Sequence, residues 1–193
     1  MGMMIDFFIE RVRGVWVAIL TVASVAYGWV ILDVAPMWKH LVAAQDGTEL
    51  QATWFYGAAH VAKVSGGFDA ALRADALNFY AVDVVNAVLF GASMAALIGF
   101  GIRRLDASRT FLRWVVALPL ISGASDLFEN ATLAAALVIS PSQPSIFGTL
   151  AGISTSVKLT TGHLSIALML ALVAAGLTRS AWQIRQRRRA IAR

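Results

Sequence analysis

Four long apolar stretches dominate this chain, at 14–34, 80–102, 111–139 and 150–177. A helix needs about 20 mostly apolar residues to cross the hydrocarbon of a bilayer. Each stretch meets that length, so the expected fold is all-α: a four-transmembrane-helix bundle. Composition agrees. Of 193 residues 59% are hydrophobic and 14% are charged, against about 45–50% and about 25% in soluble domains. Mean hydropathy is +0.71. The first stretch follows Arg11 and Arg13 as a signal peptide would, but its apolar run exceeds the usual signal core of about 7–15 residues. Pro36 follows it with no small-residue cleavage site, so it reads as a retained span. The whole of 1–193 is then one integral membrane domain.

The basic residues give a direction. Arg11, Arg13, Arg103, Arg104, Arg109, Arg113, Arg179, Arg185, Arg187, Arg188, Arg189 and Arg193 all fall on one side of such a bundle. The other side holds Lys39, Lys63 and Arg73, offset by Asp46, Glu49, Asp69 and Asp75. Positive residues collect in cytoplasmic loops, so both flanks of the bundle (before span 1 and after span 4) and the loop around Asp106 are expected inside. A net charge of +5 could suggest nucleic acid. The charges sit beside apolar spans as membrane anchors do, and no nucleic-acid partner is expected. The chain has no cysteine, which excludes disulfides, thiolate metal sites and thiol nucleophiles.

Residues 35–79 form the long external loop, expected to be partly helical. Thr48 to Val64 mixes Trp54, Phe55, Tyr56 and Val61 with Glu49, Gln51, His60 and Lys63, a pattern suited to an amphipathic helix lying at the interface and stopped by Gly66 and Gly67. Phe68 to Asn78 reads as a helical lead-in to span 2. Ser140 to Thr149, with Pro141 and Pro144, reads as a tight turn. The tail at 179–193 is basic and reads as a helix end or lipid anchor. Small residues recur every four positions at Ala87, Gly91, Ala95 and Gly99 in span 2, and at Ala167, Ala171 and Ala175 in span 4. Such stripes let helices approach closely in lipid.

Ionisable side chains inside hydrocarbon are costly and normally face an interior or a cavity. Span 2 carries Asp83 and Asn86; span 3 carries Ser122, Ser125, Asp126, Glu129 and Asn130; span 4 carries Lys158, Thr160, Thr161 and His163. Asp126, Glu129 and Asn130 stand at i, i+3 and i+4 on one helix face. Counting about 1.5 Å per residue from Phe100, Trp114 and Leu177, Asp83 and Lys158 lie about 26 and 28 Å from the inner boundary. Asn86, Glu129 and His163 lie at about 21–23 Å and Asp126 at about 18 Å. Two carboxyl groups one turn apart do not both ionise cheaply in low dielectric, so a proton or a cation is expected between Asp126 and Glu129. Asp83 and Lys158 are expected to meet near the external mouth. Asp126, Glu129, Asn130 and His163 are expected to line one internal cavity opening toward that side.

Pro119 through Asp126-Leu127-Phe128-Glu129-Asn130, followed by Lys158 in the next span, resembles the pattern of small four-span bacterial membrane proteins of unassigned function. The resemblance implies a place in the bacterial cytoplasmic (inner) membrane and a single shared site, without implying an activity. No phosphate-binding loop, dinucleotide fingerprint, zinc-protease helix or serine-hydrolase elbow is present. His40, His60 and His163 are too few and too scattered for a metal site, and no motif names a cofactor.

Three functions fit. One is an enzyme acting on a small lipophilic substrate, with Asp126, Glu129 and His163 catalytic and Asp83, Asn86, Asn130 and Lys158 binding the substrate. Its logic is similar to that of sterol isomerases and membrane terpene cyclases, whose motifs are absent. The second is cation or proton transport by an oligomer. The third is a structural or assembly subunit of a larger membrane complex.

Overall fold

The computed structural model describes residues 1–45, 50–107 and 111–191. They are overwhelmingly helical, with no strand among them. Helix α1, Gly2–Asp6, continues as a π-turn, Phe7–Arg11. Helix α2, Gly14–Trp29, likewise ends in a π-turn, Val30–Val34. Then come α3, Pro36–Ala44, α4, Ala58–Gly66, and α5, Ala70–Arg104. A 3-10 segment, Phe111–Val116, leads into α6, Ala117–Ile139, and α7 runs Ile146–Ile191. Four stretches are long and apolar enough to cross a membrane: Gly14–Val34, Ala70–Arg104, Phe111–Ile139 and Ile146–Arg187.

Two spans are longer than their apolar cores. Helix α5 starts at Ala70 because the Asp69 carboxylate accepts from Leu72 N at 2.8 Å and caps its first turn. No glycine or proline interrupts the lead-in, so it merges with the span. Helix α7 has 46 residues, about 70 Å of helix, and carries the basic tail as a direct continuation. The amphipathic segment differs from expectation. It is a 3-10 turn at Leu50–Ala52 and the short α4, parted by a turn in which Phe55 has φ 58°. A bulky residue in the left-handed region ends any helix there. Thr48 and Glu49 lie outside the described residues.

Helices α5, α6 and α7 pack on one another, and α2 lies against α5. The span 2 stripe is at the centre of this packing. Ala87, Gly91, Ala95 and Gly99 are all buried; a Cβ added at Gly91 would stand 3.1 Å from the Pro119 carbonyl oxygen of α6. The span 4 stripe is a correction: Ala167, Ala171 and Ala175 are exposed. The inward seam of α7 instead repeats every seven residues through Gly148, Thr155, Gly162, Met169 and Gly176, the first three and the last flanking buried Ala151, Ser165 and Leu172. That period suits a long helix crossing its neighbours at a small angle. In an alanine-rich helix alanines occupy every face, and the polar and glycine positions select which one turns inward.

Two apolar clusters fill the bundle. One, at the arginine-bearing end, joins Ile5, Phe8, Ile9 and Val12 of the N-terminal segment to Ile98, Ile102, Val116 and Leu172. The other, beneath the 35–69 connection, contains Leu41, Leu50, Tyr56, Phe79, Leu133 and Ala151. At the first end Arg103 donates to the Phe8 carbonyl at 3.1 Å and to that of Ile9, and Arg113 pairs with Asp6. The Arg103 guanidinium thereby satisfies carbonyls at the π-turn, where the helical hydrogen-bond ladder ends. Arg179 holds the far side of the same end, bonding the Leu105 carbonyl and pairing with Asp106 at 2.5 Å.

The N-terminal segment depends on Gly99, where an added Cβ would lie 2.6 Å from the Phe8 carbonyl oxygen. Gly99→Val is expected to displace α1 while leaving the spans assembled. In this cysteine-free chain Phe8→Cys should resist maleimide, because the site is 8% exposed, and should react readily when Gly99→Val is added. Equal labelling in both backgrounds would show that α1 is not anchored there.

Candidate functional site

Between the two apolar clusters lies a polar layer built from α5, α6 and α7. Lys158 is its centre. The Lys158 Nζ lies 3.1 Å from Asp126 Oδ1 and closes a second ion pair with Glu129 Oε2. The three side chains are 15%, 16% and 0% exposed. Glu129 and Asn130 face the packed interior because they lie one turn beyond Asp126 on the same face of α6, where α5 and α7 converge. The cation expected between the two acids is thus a side chain of the protein. Ser122 Oγ donates to the Lys158 carbonyl at 3.1 Å and Ser154 Oγ to the Ser125 carbonyl at 2.8 Å, which fixes the register of α6 against α7.

The remaining polar groups extend from this centre in two directions. Glu129 Oε1 lies 2.5 Å from Thr155 Oγ1 and 3.3 Å from the Tyr56 hydroxyl, and those two hydroxyls are 2.8 Å apart. On the other side Asp83 accepts from Asn86 Nδ2 at 3.0 Å and from Asn130 Nδ2 at 2.9 Å, and Asn130 Oδ1 accepts from Gln51 Nε2 at 2.6 Å. Both arms end in the connection between α3 and α4. Its turn is pressed into the bundle so closely that a Cβ at Gly152 would meet the Tyr56 carbonyl oxygen at 1.9 Å. Burial, with the Glu129 carboxylate beside it, pushes the Tyr56 hydroxyl well above the ordinary tyrosine range, so it stays a neutral donor.

A cleft of about 260 Å³ opens beside the layer, lined by Asn86 and Phe90 of α5, Ser122 and Asp126 of α6, and Lys158, Leu159, Gly162, His163 and Ile166 of α7. Toward the arginine-bearing end α5 and α7 meet, Gly101 against Leu172. The cleft thus lies between α5, α6 and α7 at the depth of the spans. His163 is exposed; its Nδ1 lies 2.6 Å from the Leu159 carbonyl and its ring stacks on Trp54 at 6.0 Å. Among the described residues no group of three acids, histidines or cysteines is placed to hold a metal ion.

Several expectations are corrected by this arrangement. Lys158 is engaged by Asp126 and Glu129, and Asp83 is bonded to two asparagine amides instead of to Lys158. Depth alone favours Asp83, but α6 packs on α7 more extensively than α5 does, and its two acids are the ones that reach the Lys158 ammonium. Asp126 and His163 do line one cleft, together with Asn86 and Lys158. Glu129, Asn130 and Asp83 are buried and stand outside the cleft's lining. Thr160 and Thr161 are turned aside, each bonded to a carbonyl four residues back.

Thr155 escaped notice although it stands one turn before Lys158, on the same face. Tyr56 and Gln51 carried the signal of an interfacial segment, and nothing in their spacing showed them reaching into the bundle.

No family model matches the chain, and no curated protein or solved structure matches it either.

Breaking a buried ion pair by removing one partner typically costs about 3–5 kcal/mol, because the other charge is left uncompensated. Lys158→Met should therefore lower the thermal midpoint in detergent strongly, and Glu129→Gln added to it should restore part of the loss. A Lys158→Met effect that is the same with and without Glu129 would mean that the pair is not what holds the layer.

Proposed function

We propose that this polytopic membrane protein binds a small lipophilic molecule in the cleft between α5, α6 and α7 and exchanges a proton with it through Asp126. The observation that carries the reading is the Asp126–Lys158 pair. It is the charged part of the polar layer that reaches the cleft, beside the apolar side chains of Phe90, Leu159 and Ile166. A ligand entering there comes from lipid, since the cleft lies at span depth. Its polar group meets a carboxyl group that can act as general acid or base and an ammonium that stabilises developing negative charge. Glu129 acts through Lys158: fully buried and held by Thr155 and Tyr56, it positions the ammonium without touching the ligand.

Ile166→Trp should fill the apolar side of the cleft without disturbing the ion pairs. Mass spectrometry of solvent extracts from the purified protein should then release a lipophile from the unmodified chain and none from Ile166→Trp at equal thermal stability. Asp126→Asn should still carry the molecule, in unconverted form. Identical extracts from all three would remove the reading.

The chain is placed in the bacterial cytoplasmic (inner) membrane, with residues 1–13, the 105–113 connection and the tail beyond Arg179 on the cytoplasmic side. The arginine distribution supports this. Phe55 and Trp182, 80% and 61% exposed, are suited to the test. An impermeant maleimide on intact cells opened only at the outer membrane should label Phe55→Cys and reach Trp182→Cys only after lysis. The reverse pattern would invert the orientation.

A further inference from the structure

The polar atoms that the cleft leaves without partners specify what kind of head group it takes. Lys158 has three N–H donors; two are directed at Asp126 and Glu129, and the third has no acceptor among the described residues. Asp126 uses Oδ1 on Lys158, and its Oδ2 receives no hydrogen bond among those residues. Asn86 gives one amide proton to Asp83 and its Oδ1 packs near Gly28 of α2, which leaves its second N–H. His163 Nδ1 faces a carbonyl oxygen, which only accepts, so that nitrogen carries a proton, and Nε2 has no hydrogen-bond partner among the described residues. The cleft thus offers donors and acceptors side by side.

Charge narrows the choice. Asp126 and Glu129 share the single ammonium of Lys158, with Asp83 held by Asn86 and Asn130 in the same layer, and that excess of acids disfavours an anionic head. A cationic head would stand against Lys158 and would carry its charge into hydrocarbon, which is costly. A carbonyl or an ether accepts from Lys158 but leaves the Asp126 oxygen unmatched, and an unmade hydrogen bond to a buried charged group is expensive. A hydroxyl is the simplest neutral group that both accepts from Lys158 and donates to Asp126. We infer that the cleft takes a lipophilic alcohol, its hydroxyl set between Lys158 Nζ and Asp126 Oδ2. Its chain passes Phe90 and Ile166 and leaves sideways into the bilayer. At about 260 Å³ the cleft lies just below the usual range of ligand pockets, about 300–1,000 Å³. It therefore encloses the head and the first part of the chain, with the rest in lipid.

This inference rests on the cleft being the binding site, and the experiment separates the two. The protein in nanodiscs is photolabelled with a ten-carbon alcohol carrying a diazirine in its chain. The competitors are three unlabelled compounds with the same chain: the alcohol, its methyl ether and the carboxylate. Labelled peptides are identified by mass spectrometry. The label is expected on 86–90 and 159–166 and should be lost in Ile166→Trp. The alcohol should compete roughly tenfold or more better than the ether, the range expected when a hydrogen bond to a charged group is lost. The carboxylate should compete least. In Asp126→Asn the amide can donate as well as accept, so the alcohol's advantage over the ether should shrink to within about threefold, the size of a neutral hydrogen bond's change, while labelling persists. Labelling scattered over lipid-facing positions and unchanged by Ile166→Trp would sink the cleft itself. Labelling confined to the cleft with ether and alcohol equal, or with the carboxylate strongest, would keep the site and overturn the alcohol.

Discussion

The bridge from Lys158 to Asp126 and Glu129 is the interaction around which the bundle is arranged. An ammonium at this depth is tolerable only with counter-charges at hand, and α6 supplies both from successive turns of one face. The requirement fixes the rotation of α6 and α7 about their axes and their relative height. It also explains why hydroxyl bonds from Ser122 and Ser154 to the opposing backbone reinforce the same register. Once those two helices are locked, α5 is brought in by the approach of Gly91 to Pro119 and by the Asn130–Asp83 bond.

The layer divides by accessibility. Its buried half, Glu129, Asn130, Asp83, Thr155 and Tyr56, is joined by bonds within the protein, with Glu129 Oε2 met only by the Lys158 ammonium. Its cleft half, Asp126, Lys158, Asn86 and His163, retains unmatched donors and acceptors. A purely structural polar layer would be expected to satisfy both halves, since an unpaired polar atom near hydrocarbon is costly. The open donors and acceptors of the cleft half are what support the proposal of a ligand there. The connection between α3 and α4 belongs to the site for the same reason, because Gln51 and Tyr56 complete the buried half from outside the spans.

Seen from the chain, the four spans, their order and the polar zone followed from length and depth alone. Twenty apolar residues in a bilayer have essentially one solution, a helix, and the 1.5 Å rise then sets the height of every side chain. Asp126, Lys158 and the expectation of a cation between the acids emerge at that level. Rotation about each axis does not. Whether Glu129 faces the cleft or the packed interior, and whether Asp83 or Asp126 meets Lys158, depends on contacts made at glycines such as Gly123 and Gly152, whose role shows only when a neighbouring backbone is placed against them. The stripe of Ala167, Ala171 and Ala175 misled for this reason: a small side chain permits close approach without requiring it. Tyr56 was equally hidden, because an aromatic residue beside a span suits a membrane surface as well as a bundle interior until the turn at Phe55 directs it inward.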